Sequence, residues 1–247
     1  MSDSLSAQTI TITARDGDEI EAYTARPAGE HGRGGVVVIH HLPGYDRATK
    51  EIVRRFAELG YDTVMPNLYS RIAPGVAPAD AAAIAREQGG ISDAQLVDDV
   101  AGAAAHLRAL PTSNGKVAVV GYCSGGRQAV LAACNVDLDA AVDCYGAFVT
   151  GTPSAEFPLK VTNLVDQLPN LRCPLLGMFG NDDTHPSPEH VDELDRILTE
   201  LGKPHEFHRY DGAGHAFFAV DRPLYRVEAA NDGWERVAEF LRAQLGD

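Results

Sequence analysis

The sequence predicts an α/β fold in which a mostly parallel central sheet is covered by helices on both faces. Short apolar runs alternate along the chain with longer amphipathic segments, which is typical of strands joined by crossover helices. The runs at 35–40 and 117–120 are largely apolar, as expected for strands buried on both faces. Residues 9–14 and 19–24 instead nearly alternate around an Asp-Gly pair, and this pattern predicts an N-terminal β-hairpin.

The elements after the hairpin follow from local signals. A helix is predicted at 47–59, where apolar residues recur three and four positions apart, and Gly60 suits its C-cap. A short strand is predicted at 63–65. A further helix at 93–110 begins next to Ser92, which is a good N-cap residue.

The second half of the chain continues the alternation of strands and helices. Its predicted elements are a strand at 117–121, a helix at 127–134, strands at 140–145 and 174–179, a helix at 188–201, a strand at 205–210 and a final helical region that ends at Leu245. Residues 67–92 are less regular, with turn residues before an Ala-rich helix. This segment either forms part of a lid over the strand ends or is an ordinary surface connection.

The composition is that of an ordinary globular protein. The chain has 247 residues, of which 45% are hydrophobic and 23% are charged. No linker divides residues 1–247, so we expect a single domain. No apolar run approaches the roughly 18 residues needed to span a membrane. The first residues are polar and acidic, without the apolar core of a secretory signal, so a cytoplasmic location is expected.

Charge and cysteine content exclude further classes. The net charge is −14, from 21 basic and 35 acidic residues, and no basic run occurs, so nucleic-acid binding is not expected. The four cysteines form no C-x-x-C pair and none lies at zinc-finger spacing from a histidine. A structural metal site and a disulfide scaffold are therefore disfavoured, and reduced thiols are expected.

Residues 121–126 read Gly-Tyr-Cys-Ser-Gly-Gly and stand between an apolar strand and a helix. A strand, Gly-x-nucleophile-x-Gly and a helix form the nucleophile elbow of α/β-hydrolases. The glycines are needed because side chains two positions either side of the strained central residue would collide with the neighbouring strand and helix. The central residue is Cys123, and the start of the following helix favours its thiolate. The alternatives are a small buried cysteine without a catalytic role and Ser124, one place off the apex, as the nucleophile.

The base is expected to follow the nucleophile in the chain, with an acid between them. His215 lies in a glycine-rich loop directly after the strand at 205–210, from which it can reach the elbow. The preceding strand ends in a loop that holds Asp182 and Asp183. One of these carboxylates would orient the imidazole, while the other serves the turn or the next helix. The Gly-x-x-Asp spacing favours Asp183 as the acid.

Two backbone N–H groups are expected to form an oxyanion hole. Ser124 supplies one of them, directly after the nucleophile. The other should come from the loop after the first central strand, where Leu42 is the best candidate because Pro43 has no N–H. His41 either lines the pocket floor next to Cys123 or is a structural polar residue.

With these residues in place, nearly the whole chain resembles the dienelactone hydrolase family of α/β-hydrolases. The resemblance is carried by the run 113–117 leading into 121–126, and by the segments 67–71 (Asn-Leu-Tyr-Ser-Arg), 145–146 (Tyr-Gly) and 213–215 (Ala-Gly-His). It implies a Cys–Asp–His triad at Cys123, Asp183 and His215. It also implies that no cofactor is needed and that the substrates are enol-lactones formed in the breakdown of aromatic compounds.

Two departures from the family pattern bear on the substrate. The family carries a glutamate after the first central strand that can help to activate the cysteine, and His41 stands in that place. The family's lactone-cleaving members also follow the catalytic histidine with Ser and then Arg, which hold the substrate carboxylate. Here residues 216–219 read Ala-Phe-Phe-Ala. We therefore expect a neutral or apolar ester or lactone, with Tyr145 and Phe217 beside it.

Several questions stay open at the level of the sequence. Arg71 and Arg86 are the candidates for binding an anionic substrate group, although solvent exposure is the default for a lone arginine. Besides an ester or lactone hydrolase, the same triad suits a thioesterase or an acyltransferase. A ligand-binding or redox-sensing protein with Cys123 as an oxidisable thiol is the non-enzymatic alternative. Either a monomer or a homodimer is compatible with the sequence.

Overall fold

The structure is a computed structural model that describes residues 4–29 and 32–246. Its strands are β1 (Leu5–Thr13), β2 (Glu19–Pro27), β3 (Arg33–Ile39), β4 (Asp62–Pro66), β5 (Ser113–Tyr122), β6 (Ala140–Cys144), β7 (Leu175–Gly180) and β8 (His205–Tyr210). Its helices are α1 (Arg47–Glu58), α2 (Pro78–Glu87), α3 (Asp93–Arg108), α4 (Ser124–Asn135), α5 (Pro188–Glu200) and α6 (Val227–Leu245), with a 3-10 helix at Val165–Asn170. The expectation that the chain has no secretory signal rests on the polar N-terminal residues, and residues 1 to 3 among them lie outside the described ranges.

The eight strands form one sheet in the order β1-β2-β4-β3-β5-β6-β7-β8. β1 pairs antiparallel with β2, which confirms the predicted hairpin, and β2 pairs antiparallel with β4. The remaining neighbours pair in parallel, so the predicted mostly parallel sheet is confirmed. The carboxyl ends of β3, β5, β7 and β8 therefore lie at one edge of the sheet, where the loops that follow them meet.

The sheet is covered on both faces, as predicted. Buried residues from α3, α4 and α5 pack with one face of the sheet, and buried residues from α1, α2 and α6 pack with the other. The central strands β3 and β6 are buried along their whole lengths. This is the physical reason for their largely apolar sequences, because neither face meets water.

The starts of helices α3 and α4 show where local sequence patterns predict a helix boundary and where they do not. The Ser92 side chain accepts a hydrogen bond from the Gln95 backbone N–H, as expected for the N-cap of α3. Helix α4 begins at Ser124, three residues earlier than the predicted 127. Its first turn contains Gly125 and Gly126, which read as turn residues in the sequence, and neighbouring backbone leaves no room for a Cβ at either position.

Within residues 4–29 and 32–246, no helix is long and apolar enough to cross a membrane. The same part of the chain contains no group of three or more His, Cys, Asp or Glu side chains placed to hold a metal ion.

Candidate active site

The turn between β5 and α4 has the geometry of a nucleophile elbow, a name we keep for residues 121–126. Cys123 has φ 58° and ψ −120°, a strained conformation for a residue with a side chain. A Cβ added at Gly121 would lie 1.8 Å from the Gly125 carbonyl oxygen, and one added at Gly125 would lie 2.4 Å from the Ile39 carbonyl oxygen. The two glycines are therefore required by the close approach of backbone to backbone, which presents Cys123 at the edge of the sheet.

Cys123, His215 and Asp183 form one hydrogen-bonded chain. The His215 Nε2 lies 2.9 Å from the Cys123 Sγ, and its Nδ1 lies 2.8 Å from the Asp183 Oδ2. Asp183 is buried, with 6% of its surface exposed, whereas the neighbouring Asp182 is exposed. Of the two aspartates in the loop, Asp183 is thus the one that contacts the imidazole.

The acid loop and the histidine loop are held against each other through backbone contacts. The Asp182 N–H donates to the Ala213 carbonyl oxygen at 2.9 Å. A Cβ at Gly180 would lie 2.2 Å from that same oxygen, so the loops after β7 and β8 approach closely only because residue 180 is glycine. Asp183 is fixed further because its Oδ1 accepts a hydrogen bond from the His185 N–H at 2.9 Å.

The electrostatics of the site favour a charged imidazole. Burial lowers the pKa of His215, but its hydrogen bonds to Asp183 and Cys123 and their negative charges raise it more, to about 10. An imidazolium next to Sγ favours the thiolate, which is the nucleophilic form of cysteine. The arrangement can therefore attack an electrophilic carbon and return a proton from Nε2.

Two free backbone donors face the same space. Neither the Leu42 N–H nor the Ser124 N–H donates a hydrogen bond to another residue in the described part of the chain. Both residues line the pocket that contains Cys123. Ser124 is the first residue of α4, whose N–H groups have no acceptor within the helix, so the helix start adds a favourable field for a developing oxyanion.

A buried histidine that the sequence reasoning missed fixes the loop that carries Leu42. The His40 Nδ1 lies 2.9 Å from the His41 carbonyl oxygen, and its Nε2 accepts a hydrogen bond from the Leu68 N–H at 3.2 Å. Because Nε2 is an acceptor, Nδ1 carries the hydrogen and donates it to His41. Burial lowers the pKa of His40 to about 4, so the ring is neutral. A Cβ at Gly44 would lie 2.6 Å from Nδ1, which explains the glycine.

A pocket of about 410 Å³ opens over the triad. One side is built by residues 147–161, which we call the pocket wall and which contain no helix or strand. Its contributions are mostly apolar: Ala147, Phe148, Phe157, Pro158, Leu159 and Val161. The rings of Phe148 and Phe157 meet edge to face with their centroids 4.9 Å apart. The Lys160 N–H donates to the Gly89 carbonyl oxygen at 2.7 Å and so ties the wall to the end of α2.

The predicted lid segment, 67–92, contributes only Arg86 to this pocket. Arg86 donates to the Leu42 carbonyl oxygen at 3.4 Å. The other candidate anion binder, Arg71, forms ion pairs with three carboxylates and does not line the pocket. Arg127 lines it, but both of its terminal nitrogens are bound to the Asp93 carboxylate at 2.9 Å. Arg86 is therefore the pocket guanidinium without a carboxylate partner among the described residues.

The three candidate substrate-binding residues, His41, Tyr145 and Phe217, do not line the 410 Å³ pocket. Tyr145 packs against His215, with ring centroids 5.2 Å apart, and Phe217 is fully buried behind Tyr145 at 5.3 Å. Both rings pack edge to face on the side of the imidazole away from the 410 Å³ pocket. His41 lines two smaller neighbouring cavities, and its side chain makes no hydrogen bond to Cys123 within the described residues.

A second missed residue lies beneath the elbow. Asp143, in β6, is fully buried, and its Oδ1 accepts a hydrogen bond from the Gly146 N–H at 2.7 Å. Its Oδ2 has no partner in the described part of the chain. Burial raises the pKa of Asp143 to about 7, although the Gly146 N–H and the charge of His215 lower it. A carboxyl within an otherwise apolar strand is the signal that could have identified it.

The strand order, the strained elbow and the placement of the acid and histidine loops define the molecule as an α/β-hydrolase. Residues 20–245 match the model of the Dienelactone hydrolase family. The chain therefore belongs to the dienelactone hydrolase family and is a hydrolase of the carboxylic ester class.

Sequence relatives agree with this membership. A protein from Methylorubrum extorquens that carries the provisional name carboxymethylenebutenolidase is 34% identical over 241 residues, covering 96% of this chain and 81% of the relative. The carboxymethylenebutenolidase of Rhodococcus opacus is 30% identical over 212 residues, covering 85% of this chain and 81% of the relative.

Solved structures agree as well. A crystal structure from Klebsiella pneumoniae, provisionally described as a dienelactone hydrolase, has a TM-score of 0.82 at 28% identity, and it covers 96% of this chain and 98% of its own. A dienelactone hydrolase-like promiscuous phosphotriesterase from metagenomic libraries has a TM-score of 0.78 at 20% identity, with 98% and 100% of the two chains covered. The second likeness concerns the fold alone.

Proposed function

We propose that this protein hydrolyses an ester or lactone through a thioester on Cys123. The observation that carries the proposal is the hydrogen-bonded chain from the Cys123 Sγ through His215 to Asp183, with distances of 2.9 Å and 2.8 Å. Three groups in this order are what covalent acyl transfer needs: a nucleophile, a base that can return the proton, and a carboxylate that orients the base.

In the first half of the reaction, the Cys123 thiolate attacks the substrate carbonyl carbon and forms a C–S bond. The carbonyl oxygen becomes an oxyanion, which accepts hydrogen bonds from the Leu42 and Ser124 N–H groups. The C–O bond to the leaving group then breaks, and His215 gives its Nε2 proton to the leaving oxygen. The products of this half are an alcohol, or the opened end of a lactone, and the thioester.

In the second half, the now neutral His215 takes a proton from a water molecule. The resulting hydroxide attacks the thioester carbon, the same two N–H groups stabilise the second oxyanion, and the C–S bond breaks. Sulfur leaves as the thiolate beside the newly charged imidazole, so the resting ion pair is restored. Throughout the cycle, Asp183 holds the Nδ1–H and keeps the imidazole oriented.

We further propose that the substrate is less anionic than a dienelactone. The support is the composition of the pocket, whose wall is apolar and whose Arg127 is neutralised by Asp93. Arg86 is the remaining cation, and it is exposed at the pocket edge. An apolar acyl group lying along Phe148 and Phe157 would bury its surface there, which favours binding by about 25 cal/mol for each Å² removed from water.

The experiment compares three variants on an aryl ester that the parent protein cleaves. Cys123→Ala should abolish turnover, and Asp183→Asn should lower kcat by about 10³-fold or more because the imidazole loses its orientation. Asp182→Asn is the matched control and should change kcat less than about twofold, since Asp182 does not touch His215. Full activity of Cys123→Ala would exclude Cys123 as the nucleophile.

A paired substrate series tests the preference for a neutral substrate. Esters of equal size that differ only in a terminal carboxylate are compared by kcat/KM in the parent and in Arg86→Gln. We expect the neutral ester to be cleaved faster and to be insensitive to Arg86. A preference for the carboxylate ester that disappears in Arg86→Gln would overturn the proposed substrate class and leave the triad intact. Competing alcohols or amines in the same assay would expose an acyltransferase.

We also propose that residues 1–247 act as one domain in the cytoplasm, without a cofactor, as a monomer or homodimer. The support is one continuous sheet with both faces covered. All four cysteines are free thiols, as suits a reducing compartment. Light scattering and fractionation of cells test these points.

A further inference from the structure

A second cleft lies on the other side of the catalytic histidine from the substrate pocket. It has a volume of about 130 Å³ and is walled by Tyr122, Tyr145, Phe218 and Trp234. Tyr145 connects it to the active site, because the Tyr145 ring packs on His215 with centroids 5.2 Å apart. The volume is close to the roughly 150 Å³ that an engineered apolar cavity needs to bind benzene, so the cleft has room for one aromatic ring.

The walls of this cleft offer aromatic faces and edges. Tyr122 and Phe218 meet edge to face with centroids 5.9 Å apart, and Phe218 meets Trp234 in the same way at 5.9 Å. Aromatic groups pack favourably in both offset and edge-to-face arrangements. A planar ring between these walls would therefore find partners on more than one side.

The cleft also holds two tyrosine hydroxyls without a hydrogen-bond partner among residues 4–29 and 32–246. The Tyr122 and Tyr145 side chains are buried, with 3% of each surface exposed, and neither hydroxyl makes a hydrogen bond to a described residue. Some side-chain oxygens in the described part of the chain are completely buried and lack a partner, but these two hydroxyls are not among them. Both hydroxyls therefore remain accessible from the cleft. Buried polar groups normally have a partner, and two such hydroxyls in one cleft point to a polar ligand or to water.

An arginine at the edge of the cleft supplies a fixed positive charge. The Arg55 guanidinium stacks on Trp234, with its Cζ 3.9 Å from the ring centroid, and it forms no ion pair with a carboxylate among the described residues. The cleft's two carboxylates are already occupied, because Glu51 is bonded to Arg54 and Asp221 lies 3.6 Å from Arg222. A planar guanidinium held in this way is suited to a carboxylate.

We propose that this cleft binds a single-ring aromatic carboxylate, with the ring packed against the wall of Tyr122, Phe218 and Trp234 and the carboxylate on Arg55. Such a ligand would contact Tyr145 and so touch the back of the triad without entering the substrate pocket. The proposal does not depend on the thiol chemistry of Cys123, since none of the groups that hold the ligand belongs to the triad.

The test uses benzoate as the probe and fluorescence as the readout. Trp234 is the only tryptophan of the chain. It lines this cleft and a neighbouring surface pocket beside Arg55 but not the substrate pocket, so its emission distinguishes binding beside Arg55 from binding over Cys123. Benzoate should change that emission in a saturable way and bind at least about tenfold more tightly than benzyl alcohol. Cys123→Ala should bind benzoate with the same Kd, even if the proposed catalytic role of Cys123 were wrong.

Variants of α1 locate the binding. Arg55→Gln should raise the Kd for benzoate about tenfold or more and leave that for benzyl alcohol unchanged, while Arg55→Lys should fall between the parent and Arg55→Gln. Arg47→Gln is the matched control, because Arg47 lies on the same helix and does not line the cleft, and its Kd should match that of the parent. Circular dichroism checks that each variant is folded.

Three results would overturn the proposal. The first is the absence of a saturable change in emission. The second is a Kd for benzoate that Arg55→Gln leaves unchanged. The third is a Kd that Arg86→Gln raises while Arg55→Gln does not, since this would place benzoate in the substrate pocket.

Discussion

The elbow and the pocket wall face each other across the active site, yet they are built in opposite ways. In the elbow, backbone presses on backbone: a Cβ at Gly121 or Gly125 would lie 1.8 Å or 2.4 Å from a carbonyl oxygen. The pocket wall, residues 147–161, has neither helix nor strand and presents side chains such as Phe148 and Phe157. The comparison teaches that a rigid backbone fixes the position of Cys123, whereas side chains on an irregular segment shape the pocket beside it.

Among the variants that test this comparison of backbone with side chains, the largest effect is expected where a side chain is forced into the elbow. Gly121→Ala should lower kcat/KM by about 100-fold or more, because displacing a nucleophile by about 1 Å has an effect of that size. The free energy of unfolding should fall by about 3 kcal/mol. Both are measured by ester hydrolysis and urea unfolding. Gly32→Ala is the control, since a Cβ there would lie 4.0 Å from its nearest neighbour and should change neither quantity. Parent-like activity of Gly121→Ala would contradict the rigid elbow.

The rigid region should extend to the loop that His40 holds. The pH dependence of the free energy of unfolding tests this. The folded pKa of His40 is about 4 and the unfolded value is about 6.5, so the unfolded chain binds the proton more readily. The stability contributed by neutral His40 is complete above pH 6.5 and is lost as pH falls towards 4, by about 3 kcal/mol.

Urea unfolding between pH 7 and pH 4 measures this loss. His40→Asn cannot take up the proton, so its free energy of unfolding should fall less than that of the parent over the same range. Asp143 titrates in the opposite sense near pH 7, but it is present in both proteins and cancels in the difference. Equal losses in the two proteins would mean that His40 is not buried in its neutral form.

At pH 8, His40→Asn should also lower kcat about tenfold, because the loop that carries the Leu42 N–H loses the hydrogen bonds of His40.

The smallest effect is expected in the pocket wall. Phe157→Ala should lower kcat/KM for a hexanoate ester about tenfold, because apolar contact with the acyl chain is lost, and should change that for an acetate ester less than twofold. The free energy of unfolding should move by less than about 1 kcal/mol, since the side chain is only half-buried. Equal losses on both esters would show that the pocket wall also positions the reacting carbonyl, and the contrast with the elbow would then fail.

The same contrast explains what could be predicted from the sequence. The elbow, the hairpin and the helix cap at Ser92 depend on neighbours within a few residues, so these elements could be predicted from local sequence patterns. Asp183 and His215 could be proposed as acid and base because the fold fixes the order in which an acid and a base follow the nucleophile, and the loops that carry them. The sequence could not place Phe157, because the pocket wall forms no regular element and packs through contacts distant in the chain.

The positions of Phe217 and His40 show the same limit. Phe217 was expected beside the substrate because it follows His215 closely, but the positive φ of Ala216, 61°, accompanies a turn after which the ring is buried behind Tyr145. His40 was passed over because its role consists of hydrogen bonds to His41 and to Leu68, which is 28 positions away. Long-range partners of this kind leave no periodic signal.

The central claim is that Cys123, held by the elbow, carries the acyl group, and intact-protein mass spectrometry tests it most directly. The protein is mixed with an activated ester, quenched in acid within the first turnovers, and digested for peptide mapping. We predict a mass increase of one acyl group on Cys123 that neutral hydroxylamine removes, as it does for a thioester, and no adduct in Cys123→Ala. An adduct on Ser124, or product formation with no acylated Cys123 at any time, would contradict the account.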